Sequence, residues 1–137
     1  MTDITVKALM NPNPKTLKCS SSLEEVVKTL LTENVDELAV VNSQNKLLGF
    51  VSALDCHKAI LISSYHCDKP VIVNDIMNQK FISINTDEQI SDVAIKMQNE
   101  SSNIYPVIES EKLIGTLSRN DLLKVLNENL SLCSKRE

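Results

Sequence analysis

The chain has 137 residues, 42% of them apolar, and a formal net charge of −4, which is enough for one domain with a sizeable core. Its few basic residues are scattered, which excludes the clustered cationic face that nucleic acid or an anionic membrane requires. No apolar run reaches the roughly 18 residues that span a bilayer. Met1-Thr2-Asp3-Ile4-Thr5-Val6-Lys7 lacks the basic and hydrophobic regions of a signal peptide, so a cytoplasmic protein is expected.

The chain opens on Val6-Lys7-Ala8-Leu9-Met10-Asn11, and Lys15-Thr16-Leu17 then alternates like a short strand. Leu23, Val26, Val27, Leu30 and Leu31 recur at i, i+3, i+4, i+7 and i+8, the pattern of an amphipathic helix, with Ser22 and Glu25 spaced for a capping box. Glu37-Leu38-Ala39-Val40-Val41 reads as a strand, and Ser43-Gln44-Asn45-Lys46 as a polar turn into Gly49-Phe50-Val51-Ser52-Ala53-Leu54-Asp55. A second helix follows Ser52, with Leu54, Ala59, Ile60 and Leu61 apolar. A linker is expected around Ser63 to Ile72.

The same order then repeats. Val73-Asn74-Asp75-Ile76-Met77-Asn78 matches the opening at an offset of 67 residues, and this offset carries Leu17 onto Ile84, Leu23 onto Ile90, Val26 onto Val93, Leu30 onto Met97 and Val40-Val41 onto Val107-Ile108. One residue fewer in the polar turn, now Ser110-Glu111-Lys112, makes the offset 66 at Gly49/Gly115, Ser52/Ser118 and Asp55/Asp121. Ile82-Ser83-Ile84 is expected as the early strand, Thr86 with Gln89 as the capping box, and Ile104-Tyr105-Pro106-Val107-Ile108 as the strand before the turn. Gly115-Thr116-Leu117-Ser118-Arg119-Asn120-Asp121 leads into a helix bearing Leu122, Leu123, Val125 and Leu126. Cys133-Ser134-Lys135-Arg136-Glu137 is expected as a frayed tail.

The expected fold is therefore α+β: two pseudo-symmetric β-α-β-β-α repeats, residues 1–64 and 65–137, packed through their sheets. A half of about sixty residues buries only about 60% of its unfolded surface, so pairing about an approximate two-fold axis is the simplest remedy. The chain has two glycines, and they open the two equivalent segments. A glycine inside a strand marks a bulge or a close approach to the backbone. A Ser and a carboxylate at a helix N-terminus can hold hydroxyls and phosphate. The same Ser-x-x-Asp spacing ahead of an apolar run is also close to a capping box.

The two Gly-x-hydrophobic-Ser-x-x-Asp segments, the Val-x-x-Ile/Leu-Met starts, Tyr105-Pro106-Val107-Ile108 and the repeat length give a chain that resembles a tandem cystathionine-β-synthase (CBS) domain pair, or Bateman module, over roughly residues 4 to 130. The resemblance implies a free-standing, non-catalytic regulatory module that binds AMP, ADP, ATP or S-adenosylmethionine in clefts between repeats and needs no other cofactor. It also implies a homodimer and an unidentified protein target. Asp55 and Asp121 would take the ribose hydroxyls, with Ser52 and Ser118 near the phosphates. Thr16, Leu17, Ser83 and Ile84 would line the base pocket, with Tyr105 and Pro106 beside the second site. Arg119 could pair with phosphate, whereas its counterpart is Ala53, so the second motif is the better equipped; a triphosphate would draw on lysines such as Lys15, Lys58, Lys80 or Lys124.

Two other classes are open to this sequence. One is a ligand-free dimerisation or scaffold module whose motifs are structural remnants; the other is an enzyme. Cys56-His57 and His66-Cys67 are metal-type residues, but adjacent positions diverge by about 100° on a helix, and Cys56 and His57 align with Leu122 and Leu123, so no metal site is expected. The same objection removes a Cys56–His57–Asp55 triad. The four cysteines (Cys19, Cys56, Cys67, Cys133) show no C-x-x-C and are expected as reduced thiols. Met10, Met77 and Met97 are expected as core fillers.

Overall fold

The computed structural model describes residues 4–63 and 70–134, side chains of 132–134 excepted; the expected His66 and Cys67 therefore lie outside the described residues. The elements are α1 (Val6–Leu9), β1 (Thr16–Lys18), α2 (Leu23–Glu33), β2 (Glu37–Val41), β3 (Leu47–Ser52), α3 (Ala53–Ser63), a 3-10 turn at Val73–Asp75, α4 (Ile90–Met97), β4 (Ile104–Glu109), β5 (Lys112–Ser118) and α5 (Arg119–Ser134). The fold is α+β. Its compact units do not coincide with runs of sequence. Lys15–Phe81 with Glu111–Leu113 forms a central unit, and Met1–Pro14, Ile82–Ser110 and Ile114–Glu137 form a terminal unit. The segment that opens the first repeat thus packs with the second repeat's elements, and the segment that opens the second packs with the first's.

In the central unit β1 runs parallel to β2, pairing Leu17 with Val40, and β2 runs antiparallel to β3, pairing Leu38 with Val51. Alternation along β1 turns Leu17 inward and leaves Lys18 exposed. The buried stripe of α2, Val26 and Leu30, meets Leu38, Val40, Val51, Cys56 and Val73 in one core. The helix begins where Ser22 Oγ accepts the Glu25 N–H at 3.2 Å. It ends at Asn34, whose left-handed backbone (φ 54°, ψ 49°) lets its own N–H return to Leu30 and Leu31 carbonyls.

The terminal unit follows the same plan with two departures. The strand expected over Ile82-Ser83-Ile84 is reduced to one parallel bridge, Ile84 with Val107. Ile84 N–H donates to Pro106 O and Ile108 N–H to Ile84 O, both at 2.9 Å. Pairing cannot continue back towards Ile82 because Pro106 has no N–H to give; the central unit has Ala39 at that position and keeps its strand. The capping box expected of Thr86 and Gln89 is also absent. Gln89 itself is the N-cap of α4, without a side-chain cap bond, and the first helical N–H, that of Ile90, is satisfied by Ile4 O at 2.8 Å. In the central unit Leu23 N–H reaches Val71 O at 3.0 Å. Both helices therefore start on a backbone carbonyl supplied by an opening segment.

Those opening segments are anchored by one fully buried valine each, Val6 and Val73, and burial of such a side chain contributes about 1.5–3 kcal/mol. Val6 joins Ile84, Ile90, Val93, Met97, Tyr105, Val107, Leu117, Leu122 and Val125 in the terminal core. Met97 is a core residue as expected, while Met10 and Met77 pack at the core margins.

Candidate functional site

Each glycine of the repeated heptapeptide sits under the end of an opening segment. A Cβ added to Gly49 would stand 2.5 Å from Asn78 O, and one added to Gly115 would stand 2.8 Å from Asn11 O and 2.7 Å from Met10 Sδ. Neither glycine has a positive φ, so close approach, and not backbone freedom, explains the residue. The approaching group is the chain itself. Phe50 N–H donates to Asn78 O at 2.9 Å and Asn78 N–H to Phe50 O at 2.7 Å; the terminal unit repeats the exchange between Thr116 and Asn11. The sequence pattern pointed to close approach and left open what approaches.

From the glycines the strands run to Ser52 and Ser118, where α3 and α5 begin. Ser52 N–H donates to Asp55 Oδ2 at 2.9 Å while Asp55 N–H donates to Ser52 Oγ at 3.1 Å. Ser118 and Asp121 make the same reciprocal pair at 3.3 and 3.1 Å. Both motifs are thus capping boxes, which stabilise the helix starts by about 1 kcal/mol each. All four residues are half-buried. The second oxygen of each carboxylate, Oδ1, carries no hydrogen bond among the described residues. Capping uses half of each Asp and leaves an ionised acceptor at the positive end of a helix.

The other expected site residues divide. Thr16 is half-buried and Ser83 exposed, so their polar side chains can meet a ligand. Leu17 and Ile84 are 6% and 0% exposed and belong to the two cores; the inward phase of strand alternation removes their side chains from any base pocket. Pro106 is buried. Tyr105, 2% exposed, is a core residue whose hydroxyl has no hydrogen-bond partner among the described residues. Burial pushes its phenol pKa up, with Arg119 pulling back and Glu100 adding to the rise.

Arg119 is engaged by the fold through one of its guanidinium nitrogens. Its Nη2 donates to the carbonyls of Met97 (3.2 Å), Glu100 (2.5 Å) and Ser102 (3.3 Å), and its guanidinium lies 5.5 Å from the centre of the Tyr105 ring, within cation–π range. The reason lies in how the equivalent helices end. Helix α2 closes on left-handed Asn34, but α4 has right-handed Gln98 at that place and leaves carbonyls that a cation satisfies. The difference between Arg119 and Ala53 thus goes with a difference in how the two helices terminate. Arg119→Met is expected to lower stability by about 1.5–3 kcal/mol, the contribution of hydrogen bonds from a charged donor, and to lower the thermal midpoint by several degrees. An unchanged melting curve would contradict this role.

Cys56 is buried; burial first, and the Asp55 charge second, push its thiol pKa up, the opposite of an activated nucleophile. Among the described residues no three His, Cys, Asp or Glu side chains are grouped to hold a metal. No helix among them is long and apolar enough to cross a membrane.

The CBS domain family matches this chain twice, over residues 6–62 and 73–128. The chain belongs to that family, and one of the two Ser/Asp turns falls within each match. A putative acetoin utilization protein, AcuB, from Vibrio cholerae superposes with a TM-score of 0.80 at 24% identity, covering 99% of both chains. The CBS domain pair of protein MJ0100, solved in complex with 5′-methylthioadenosine and S-adenosyl-L-methionine, superposes at 0.77 with 25% identity, over 93% of this chain and 99% of that one. Protein MJ1225 of Methanocaldococcus jannaschii is 27% identical over 124 residues, 90% of this chain and 43% of its own length. A homoserine O-acetyltransferase of Methanococcus vannielii is matched over 24% of its length at 25% identity. The chain spans less than half the length of these curated relatives.

Proposed function

We propose that this chain is a non-catalytic regulatory module that binds an adenosine-containing ligand, AMP, ADP, ATP or S-adenosylmethionine, at the Ser52/Asp55 and Ser118/Asp121 turns. The observation that carries the reading is the unpaired Oδ1 of each aspartate, held beside a helix N-terminus by its own capping bond. An ionised carboxylate is acceptor-only, and an oxygen already oriented by its partner receives a ribose hydroxyl with little further ordering. Thr16 and Ser83 are the side chains of the early strands that can face the base. The MJ0100 pair, with its two adenosyl compounds, supports the same class of ligand. Ligand binding would bias the module between arrangements only as far as its affinities for them differ, and a protein target would read that bias.

A homodimer is part of the proposal. Leu31, Ile60 and Leu61 are 76%, 42% and 56% exposed on α2 and α3, and they support contact with a second copy. The ligand-free scaffold is the second reading, favoured by the fact that glycines, serines and half of each carboxylate are already used by the fold. A thermal-shift screen with the four compounds separates the two. A ligand at 100 times its dissociation constant stabilises by about 2.7 kcal/mol, and a screen without any shift at millimolar concentration would favour the scaffold.

A further inference from the structure

The offsets of 67 and 66 match α2 and α3 of the central unit, residue by residue, to α4 and α5 of the terminal unit. One backbone bond fixes the match: Ala53 N–H donates to Asp36 O at 2.8 Å, and Arg119 N–H to Asn103 O at 2.9 Å. The side chains at this bond differ in a linked way. The terminal copy has a cation, Arg119, and a neutral Asn103, whereas the central copy has a small Ala53 and an acidic Asp36.

Arg119 reaches the carbonyls of Met97 and Ser102, and the residues that match those two are Leu30 and Val35. In the central unit Leu30 and Val35, with Asp36, Ala53, Cys56 and Ile60, line an open cleft of about 390 Å³ between α2 and α3. Cys56 stands where the other copy has the larger Leu122. Small residues thus leave space in one copy at the positions where the other places a cationic side chain.

The end of α2 has no use for that cation, because Asn34 and Val35 N–H already return to the Leu31 and Leu30 carbonyls at 3.3 and 3.2 Å. Asp36 is the one acidic residue lining the cleft, and no Lys or Arg lines it. Its carboxylate makes no hydrogen bond or ion pair among the described residues. The volume lies within the range of small-molecule sites, about 300–1,000 Å³, and mostly apolar walls with a few polar groups are what such sites share.

We propose that this cleft binds a small guanidinium compound on a short apolar stem, its head at Asp36 and its stem along Leu30, Val35 and Ile60. The ligand would supply from outside the kind of group that Arg119 supplies from within the chain. The inference does not rest on the adenosine reading.

The test is amide NMR titration of the full chain with butylguanidinium and with its neutral isostere butylurea, with circular dichroism to show that each variant is folded. Saturable shifts are expected at Ala53, Cys56 and Ile60. Butylguanidinium is expected to bind about fivefold more tightly than butylurea, the upper end for a solvent-exposed ion pair. Asp36→Asn and Ala53→Arg each install the other copy's residue. The first is expected to erase the preference, and the second to weaken both compounds by about tenfold or more. Equal wild-type affinities, a preference that survives Asp36→Asn, undiminished binding in Ala53→Arg, or no binding to the wild type would overturn the inference. So would an affinity that falls as protein concentration rises, which would make a second copy the occupant of the cleft, beside the exposed Leu31, Ile60 and Leu61.

Discussion

Gly49→Ala is expected to destabilise the protein by about 3 kcal/mol. In most strands the same change is stabilising by roughly 0.5–1 kcal/mol, because glycine loses more conformational freedom on folding. The sign reverses here because the new methyl would stand 2.5 Å from the backbone oxygen of Asn78. A backbone carbonyl cannot swing aside as a side chain can, so Asn78 must leave Phe50. Overpacking costs about 1–3 kcal/mol, and the paired bonds between Phe50 and Asn78 at 2.9 and 2.7 Å contribute about 0.5–1.5 kcal/mol each. Gly115→Ala is expected to be milder, about 2 kcal/mol, because part of its clash is with the flexible Met10 side chain. Urea unfolding of both variants gives the ordering. Wild-type stability in Gly49→Ala would mean that the Asn78 segment does not dock on β3.

The second large effect is on binding. Asp55→Asn and Asp121→Asn keep a side-chain oxygen to accept the Ser52 or Ser118 N–H, so the capping boxes survive and stability is expected to change by less than about 1 kcal/mol. The negative charge is lost, however, and with it about 1.5–3 kcal/mol for each ribose hydroxyl bound to it. Combining both changes is expected to weaken AMP at least a hundredfold with melting nearly unchanged. Binding retained in the double variant would assign the aspartates to helix capping alone. Comparable losses at the two positions are expected, since Arg119, the feature that distinguished the second motif, already donates through Nη2 to the Met97, Glu100 and Ser102 carbonyls.

Much of this was legible in the residues. The offsets of 67 and 66 carry Leu17/Val40 onto Ile84/Val107, and the structure pairs both sets in parallel. They also carry Phe50/Asn78 onto Thr116/Asn11, which make the same bonds. Helix faces followed from apolar spacing at Val26 and Leu30 and at Val93 and Met97, all buried. Failures arose where a local pattern has two solutions. Thr86 and Gln89 have capping-box spacing, but α4 starts after Gln89, where Ile90 N–H meets Ile4 O, so Thr86 lies in the turn before the helix and has no helical N–H to cap. Ile82-Ser83-Ile84 alternates like Lys15-Thr16-Leu17, yet its partner strand carries Pro106. That donor was missing in plain view, but its consequence depends on pairing with a segment 22 residues earlier, at Ile84. Arg119 ties down the end of α4 because that helix lacks a left-handed cap, which nothing in the sequence marks. Long-range backbone partners decide all three cases, and composition and periodicity do not report them.

The central claim, that each aspartate receives ribose hydroxyls, is tested most directly by a thermodynamic cycle. AMP and 2′-deoxy-AMP are titrated into wild type and into Asp55→Asn/Asp121→Asn, and the two losses are compared. Removing the hydroxyl is predicted to cost wild type at least tenfold and the variant almost nothing, a coupling of about 1.4 kcal/mol or more. Equal penalties in both proteins would show that the carboxylates do not touch the sugar.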